Sequence, residues 1–192
     1  MKFIKILSSL LFLAFASSCI YIPHSVQLHP KIESSKSSIG NKSAVNISVE
    51  DKRDDKNLIG RRGNGIASVA PITNDQNLAQ MLSDIVIKSL KEKQFSVPRD
   101  GGKKLEIYLL SLKYESLFGF FTLGTKVDSV IEVKVLNPNN SVKYKNIYRS
   151  NLEKRHFIVP TSGTNENNIN ISFENVINSM LKDDKLISAL SN

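Results

Sequence analysis

A short apolar run that stops at the only cysteine constrains this 192-residue chain more than any other feature. Lys2 and Lys5 precede or flank Ile6-Leu7-Ser8-Ser9-Leu10-Leu11-Phe12-Leu13-Ala14-Phe15, and Ala16-Ser17-Ser18-Cys19 follows. A basic start, a brief hydrophobic stretch and small residues at its end are the order of a secretory signal peptide. The run is shorter than the roughly 20 apolar residues that a membrane-spanning helix needs. It has no polar face, so a surface helix buried on one side is a poor alternative. A single cysteine also excludes an intrachain disulfide. An exported chain of this kind must hold its fold by core packing alone.

Small residues followed directly by Cys19 resemble the lipobox of bacterial lipoproteins, in which the thiol accepts a diacylglycerol before cleavage. The resemblance implies that residues 1–18 are removed and that lipid on Cys19 is the link to a membrane. Ala16 departs from the pattern, which usually has Leu three residues before the cysteine. Ordinary cleavage after Ala16, leaving Cys19 as a free thiol, is the rival reading. Ile20 follows the cysteine. Under the sorting rule in which Asp at that place favours the inner membrane, Ile20 implies the periplasmic face of the outer membrane.

Without residues 1–18 the chain keeps 174 residues, enough for one domain and a tether. Residues 19–43 contain Pro23, Pro30, a serine cluster and Gly40-Asn41 without an apolar period, and are predicted to be a flexible tether. Within it, Ile20–Pro23 and Val26–Leu28 offer at most an edge strand. Residues 44–192 form the predicted single domain. Val45–Glu50 alternates as a half-buried strand does. A polar glycine-bearing loop over 58–65 and a short strand over Ile66–Ala70 follow. Leu78, Met81, Leu82, Ile85, Val86 and Leu90 recur at the helical period, with Thr73, Asn74 and Asp75 as cap candidates. Leu105–Leu112, Lys126–Leu136 and Val142–Arg149 read as strands, the last two joined by the turn sequence Asn137-Pro138-Asn139-Asn140-Ser141. A second helix carries Ile169, Phe173, Val176, Ile177 and Leu181, and Asp183-Asp184 interrupts it before Leu186 and Leu190. The order predicts an α+β fold: a mostly antiparallel sheet of four to five strands packed against two amphipathic helices.

The mature part carries about +6 charge, from 24 basic and 18 acidic residues, and the excess is spread along the chain. Export argues against nucleic acid as a partner. Anionic headgroups or an acidic protein fit such a surface, as does plain solvation. Of His24, His29 and His156, the first two lie five apart in the tether with no cysteine or carboxylate at ligand spacing, and a structural zinc site wants four ligands, so neither metal nor cofactor is expected. Gly60, Gly63 and Gly65 do not make a phosphate-binding loop, because no Gly-Lys-Ser/Thr follows. Arg61 and Arg62 suit a phosphate or carboxylate, or a solvated loop. Asp51, Asp54 and Asp55 are interleaved with basic residues and read as a strand-end turn. Leu117–Gly124 holds Phe118, Phe120 and Phe121 between two glycines. It is either a hairpin packing its aromatics into the core or an exposed apolar patch for a partner. No set of reactive groups converges, so no catalytic residue is assigned and a non-catalytic binding or scaffold module is expected.

The feature order resembles the YajG-type bacterial lipoproteins over residues 45–190. The resemblance rests on Asp51-Lys52-Arg53 ending the first strand, Ile59-Gly60-Arg61, the Leu78–Leu90 helix, Gln94-Phe95-Ser96-Val97, and Thr125-Lys126-Val127-Asp128 opening a long strand. The family usually has glycine where this chain has Gln94. The resemblance implies a cell-envelope lipoprotein without settled activity. An accessory subunit of an envelope transport or secretion assembly fits it. A lipid-handling lipoprotein of an ABC-type system, or a periplasmic hydrolase, is the alternative.

Overall fold

From Thr125 to Leu136, buried and half-buried residues alternate without a break, so one face of that strand meets a core and the other meets water. The computed structural model describes residues 23–33, 36–63, 70–119 and 123–191. Cys19, Phe120 and Phe121 lie outside them, as do residues 66–69 of the expected short strand. The elements in order are β1 (His24–Ser25), β2 (Val45–Asp51), β3 (Leu58–Arg62), β4 (Ala70–Thr73), α1 (Leu78–Glu92), β5 (Lys103–Phe118), β6 (Leu123–Leu136), β7 (Val142–His156), α2 (Ser162–Leu181) and α3 (Asp184–Ser191).

The fold is α+β, but with seven strands among the described residues rather than four to five. The surplus is β1, from the expected tether, and β3, from the expected glycine loop. The pairing is also more mixed than expected. β5–β6, β6–β7 and β3–β4 are antiparallel, whereas β1–β4, β2–β5 and β3–β5 are parallel. A parallel partner needs a crossover, and β3, β4 and α1 supply it between β2 and β5. β2 and β3 both lie along the same edge of β5, one beyond the other.

The helices cover one face of the sheet. Leu82 and Val86 of α1, Ile107 and Ile131 of the sheet, and Phe173 and Ile177 of α2 are all buried in one continuous core. The other face carries i, i+2 charge pairs: Lys104–Glu106 at 2.7 Å, Lys113–Glu115 at 2.7 Å, Lys126–Asp128 at 3.1 Å and Lys134–Glu132 at 3.1 Å. Residues two apart on a strand share a face. Much of the spread-out charge is therefore a solvated ladder, and such exposed pairs contribute little each.

Helix ends differ from expectation in instructive ways. The cap of α1 is Asn77, whose side chain accepts from the Gln80 N–H at 3.0 Å, not Thr73, Asn74 or Asp75. Asn74 is buried and instead donates to the Val26 carbonyl at 2.8 Å. Past the other end of α1, Gln94 adopts φ of +63°. This is the position where the resembled family has glycine, and a side chain in the left-handed region costs about 1–2 kcal/mol. Gln94→Gly should raise stability by about 1 kcal/mol, less than the full strain because glycine also gains unfolded-state freedom. Chemical denaturation with an unchanged m-value would check it.

Residues 23–33 do not form a free tether. Val26 and Leu28 are fully buried. The backbone N–H groups of Gln27, His29, Lys31 and Glu33 donate to Glu166, Asn170, Glu174 and Asn178 of α2 at 3.2, 2.7, 3.0 and 3.0 Å. Asn170 and Asn178 return bonds to the Gln27 and Lys31 carbonyls at 3.0 and 3.2 Å. The match is metrical: two extended residues advance about 6.6 Å, and four helical residues about 6.0 Å. Polar residues every four along α2 thus act as a ladder for an extended strap. On its other side Val26 N–H bonds the Thr73 carbonyl and Leu28 N–H bonds Gln76, at 2.8 and 2.6 Å.

Candidate functional site

Two places outside the core are open to solvent and carry unusual groups of side chains among the described residues. The first arises from the handover along the β5 edge. β2 pairs as far as Asp51 with Leu109, and β3 begins at Gly60 with Tyr114. Between them β5 bulges, with a register shift between Leu109 and Ser111. The missing neighbour leaves an open groove of about 720 Å³ whose lining includes Arg53, Asp55, Arg61, Leu110, Lys113 and Glu115. Gly60 lets β3 close against β5, because a β-carbon there would collide with the Tyr114 carbonyl.

Most charges in this groove are already committed. Arg53 and Asp51 are buried and paired, Nη2 to Oδ2 at 2.7 Å and Nε to Oδ1 at 2.9 Å. Arg53 Nη2 also donates to the Lys56 carbonyl at 2.6 Å, while Nη1 is buried with no hydrogen-bond partner among the described residues. Asp55 accepts from the Leu58 and Asn57 N–H groups, both at 2.9 Å, and these bonds hold its carboxyl below the usual range. Glu115 is held low chiefly by its hydrogen bond from Lys113, which in turn is raised. Arg61 is exposed and has no ion pair among the described residues. The groove can therefore hold a polar or anionic segment against Arg61. It contains no histidine or cysteine to serve as base or nucleophile.

The second place is the end of the sheet where β5 turns into β6. A polar seam fixes α2 above it. Tyr114 donates to Asn165 at 3.0 Å, Asn168 donates to Thr125 at 2.9 Å, and the Ser129 and Ser172 hydroxyls meet at 2.8 Å. Burial pushes the Tyr114 hydroxyl up, so it remains a donor at any physiological pH. Beyond this seam several apolar side chains are exposed. Phe118 is 48% exposed, and Phe157, Ile158 and Val159 are 92%, 78% and 49% exposed.

The family model described as uncharacterised lipoprotein matches residues 30–191. The chain belongs to this lipoprotein family. The resemblance to YajG-type lipoproteins is thereby borne out. Comparison with curated proteins gives no match. Among solved structures, the chain is similar to a DUF330 protein from Xanthomonas campestris, with 8% identity, a TM-score of 0.56, and coverage of 86% of this chain and 95% of that one. It is also similar to a putative neuraminyllactose-binding hemagglutinin homolog from Helicobacter pylori at 8% identity, TM-score 0.48, covering 86% and 98%. A minor lipoprotein from Acinetobacter baumannii is similar at 8% identity, TM-score 0.43, covering 78% and 94%. At such identity the Xanthomonas likeness speaks to the fold alone.

In this lipoprotein the residues singled out from sequence do not make one site. Arg61 lines the groove, whereas Arg62 donates to the Ser162 hydroxyl at 3.1 Å at the start of α2. Phe118 is at the hairpin end and partly exposed, so it is not a core aromatic. Sequence reasoning missed Phe157, Ile158 and Val159. Their signal was three consecutive apolar residues directly after Lys154-Arg155-His156, at the end of a strand and before Pro160. His24 lies 3.8 Å from Glu166 through Nε2, His29 is exposed on the strap, and His156 contacts the Thr125 hydroxyl at 3.4 Å. Among the described residues no three metal-ligating side chains gather, and no helix is long and apolar enough to cross a membrane.

Proposed function

We propose that the protein is a lipid-anchored envelope module without catalysis, held at the periplasmic face of the outer membrane by Cys19 and binding an envelope partner through the β5-edge groove. Membership of a lipoprotein family over residues 30–191, in a chain whose only cysteine follows an apolar run, carries the anchoring part. The groove supports the binding part. It offers an exposed arginine beside paired acids and apolar Leu110 and Leu117, a mixture suited to a polypeptide segment. A lipid-handling slot between helices and sheet is less favoured, because that space is filled by the core. An accessory role in a transport or secretion assembly fits this design.

The test has two readouts. Wild-type chain should incorporate labelled palmitate and fractionate with outer-membrane markers, and Cys19→Ser should incorporate none. A photo-crosslinking residue at Lys113 should then capture one discrete envelope protein from intact cells, and Arg61→Glu should reduce that yield several-fold. A labelled chain with no adduct above background, or an adduct unaffected by Arg61→Glu, would remove the groove from the proposal.

A further inference from the structure

Strand registers place the start of the described chain and the exposed apolar residues at one end of the sheet. His24 pairs with Ile72, Ile72 with Gly60, Gly60 with Tyr114, Tyr114 with Val127, and Val127 with Leu152. From that row, the strand directions make the step back from His24 to Pro23 point the same way as Tyr114 to Phe118 and Leu152 to His156. Pro23 therefore opens toward the end that carries Phe118, Phe157, Ile158 and Val159.

The lengths match as well. Pro23 is four chain steps from Cys19, with three residues between them, a reach of at most about 14 Å. Phe118 lies three rows beyond the row of Pro23, about 10 Å at strand rise. A lipid on Cys19 thus brings the bilayer surface to the level of the apolar end, leaving no room for the domain to stand away. The turn Asn137–Ser141 closes the opposite end, beyond Leu136. Leu136 is nine rows from Val127, so this turn lies roughly 30 Å or more the other way.

Charge agrees with lipid as the occupant. The last rows of this end carry five cations, Arg61, Arg62, Lys126, Lys154 and Arg155; Lys126 pairs with Asp128 at 3.1 Å and Arg155 with Glu153 at 3.6 Å, and with Glu115 these make three carboxylates, so the balance stays positive. Basic residues ringing exposed aromatic and aliphatic side chains suit an anionic headgroup layer. We infer that this end of the sheet is a second membrane contact, with Phe157 and Ile158 entering the interfacial layer of the same bilayer that holds the Cys19 lipid. Phe118 and Val159 flank them, and Arg155 and Lys154 meet lipid phosphates. This rests on Cys19 being the lipidated residue. Held at two points, the domain takes one orientation, with its long strands directed away from the membrane.

Lipidation uses the only cysteine, so an introduced one can be labelled alone. Ile158 is 78% exposed, and Ile158→Cys leaves the core untouched. The lipidated chain, with an environment-sensitive fluorophore at Ile158→Cys or at Asn139→Cys, would be reconstituted into vesicles of phosphatidylethanolamine and phosphatidylglycerol. Brominated acyl chains should quench the label at position 158 at least threefold more than that at 139. Equal quenching in protein that sediments with vesicles would overturn the docking while leaving the anchor intact, and would point to a protein partner at the apolar end. A chain carrying no lipid and failing to sediment would overturn the anchor and this inference together.

Discussion

Asp183→Ala should lower stability by about 3 kcal/mol, through the loss of a cap and of two tyrosine hydroxyl partners, Tyr148 buried and Tyr144 half-buried. One carboxylate oxygen accepts from Tyr144 at 2.6 Å and Tyr148 at 2.7 Å on β7. The other accepts from the Lys185 and Leu186 N–H groups at 2.8 and 3.3 Å, capping α3. The residue thus ties the last helix to the outer strand of the sheet. Burial pushes the Asp183 carboxyl up, but the tyrosine and backbone hydrogen bonds outweigh it and bring it down to about 2. The folded protein therefore favours the ionised form more than the unfolded chain does. The resulting stabilisation is complete above about pH 5 and fades as pH falls through 4 toward 2. After allowance for partial solvent screening, about 1–2 kcal/mol is at stake. Urea denaturation at pH 7 and at pH 3 should show wild type losing stability on acidification and Asp183→Asn losing less. Equal acid sensitivity in the two would mean that Asp183 is not the responsible group. Tyr144 and Tyr148, whose hydroxyls are pushed upward, stay protonated throughout this range.

Asp183 also illustrates what was legible in the sequence. Asp183-Asp184 stood out as an interruption of the last helix, and α2 ends at Leu181 with α3 starting at Asp184. Its tyrosine partners were invisible, because 35 or more residues separate them in the chain. The long strands were readable from strict alternation, since each has one solvated face. β3 was not: Leu58-Ile59-Gly60-Arg61-Arg62 has too little alternation to announce a strand. It pairs because Gly60 permits close approach to Tyr114. The apolar residues of the candidate membrane end divided in the same way. Phe118 stands out through its glycine-flanked aromatic cluster, whereas Phe157–Val159 has no such setting. Only the exposure and the shared register bring these segments together.

Leu28→Ala is the sharper test of the N-terminal strap, with an expected loss of about 2–5 kcal/mol. In a flexible tether the same change would fall within about 0.5 kcal/mol of neutral. The composition of residues 19–43, rich in serine and proline, argued for the tether because few apolar groups were available to offset ordering. Two fully buried side chains, Val26 and Leu28, and backbone bonds on both sides of the strap reverse that balance. The sign of its partner was a four-residue stripe, Glu166, Asn170, Glu174 and Asn178, on a helix whose polar face looked solvated. Asn170→Ala should therefore also destabilise, by about 2 kcal/mol for two lost backbone partners, the His29 N–H and the Gln27 carbonyl, and its effect should be less than additive with Leu28→Ala because both loosen the same strap. The strap lies between any lipid on Cys19 and the folded body, so its strength decides whether the anchor grips the domain rigidly or through slack chain. Hydrogen exchange would distinguish the two: slow amides at Gln27, His29 and Lys31 in wild type, accelerated together by Leu28→Ala. Fast exchange at those amides in the wild-type protein would return residues 23–33 to the status of a tether and dissolve the fixed spacing between Cys19 and the apolar end.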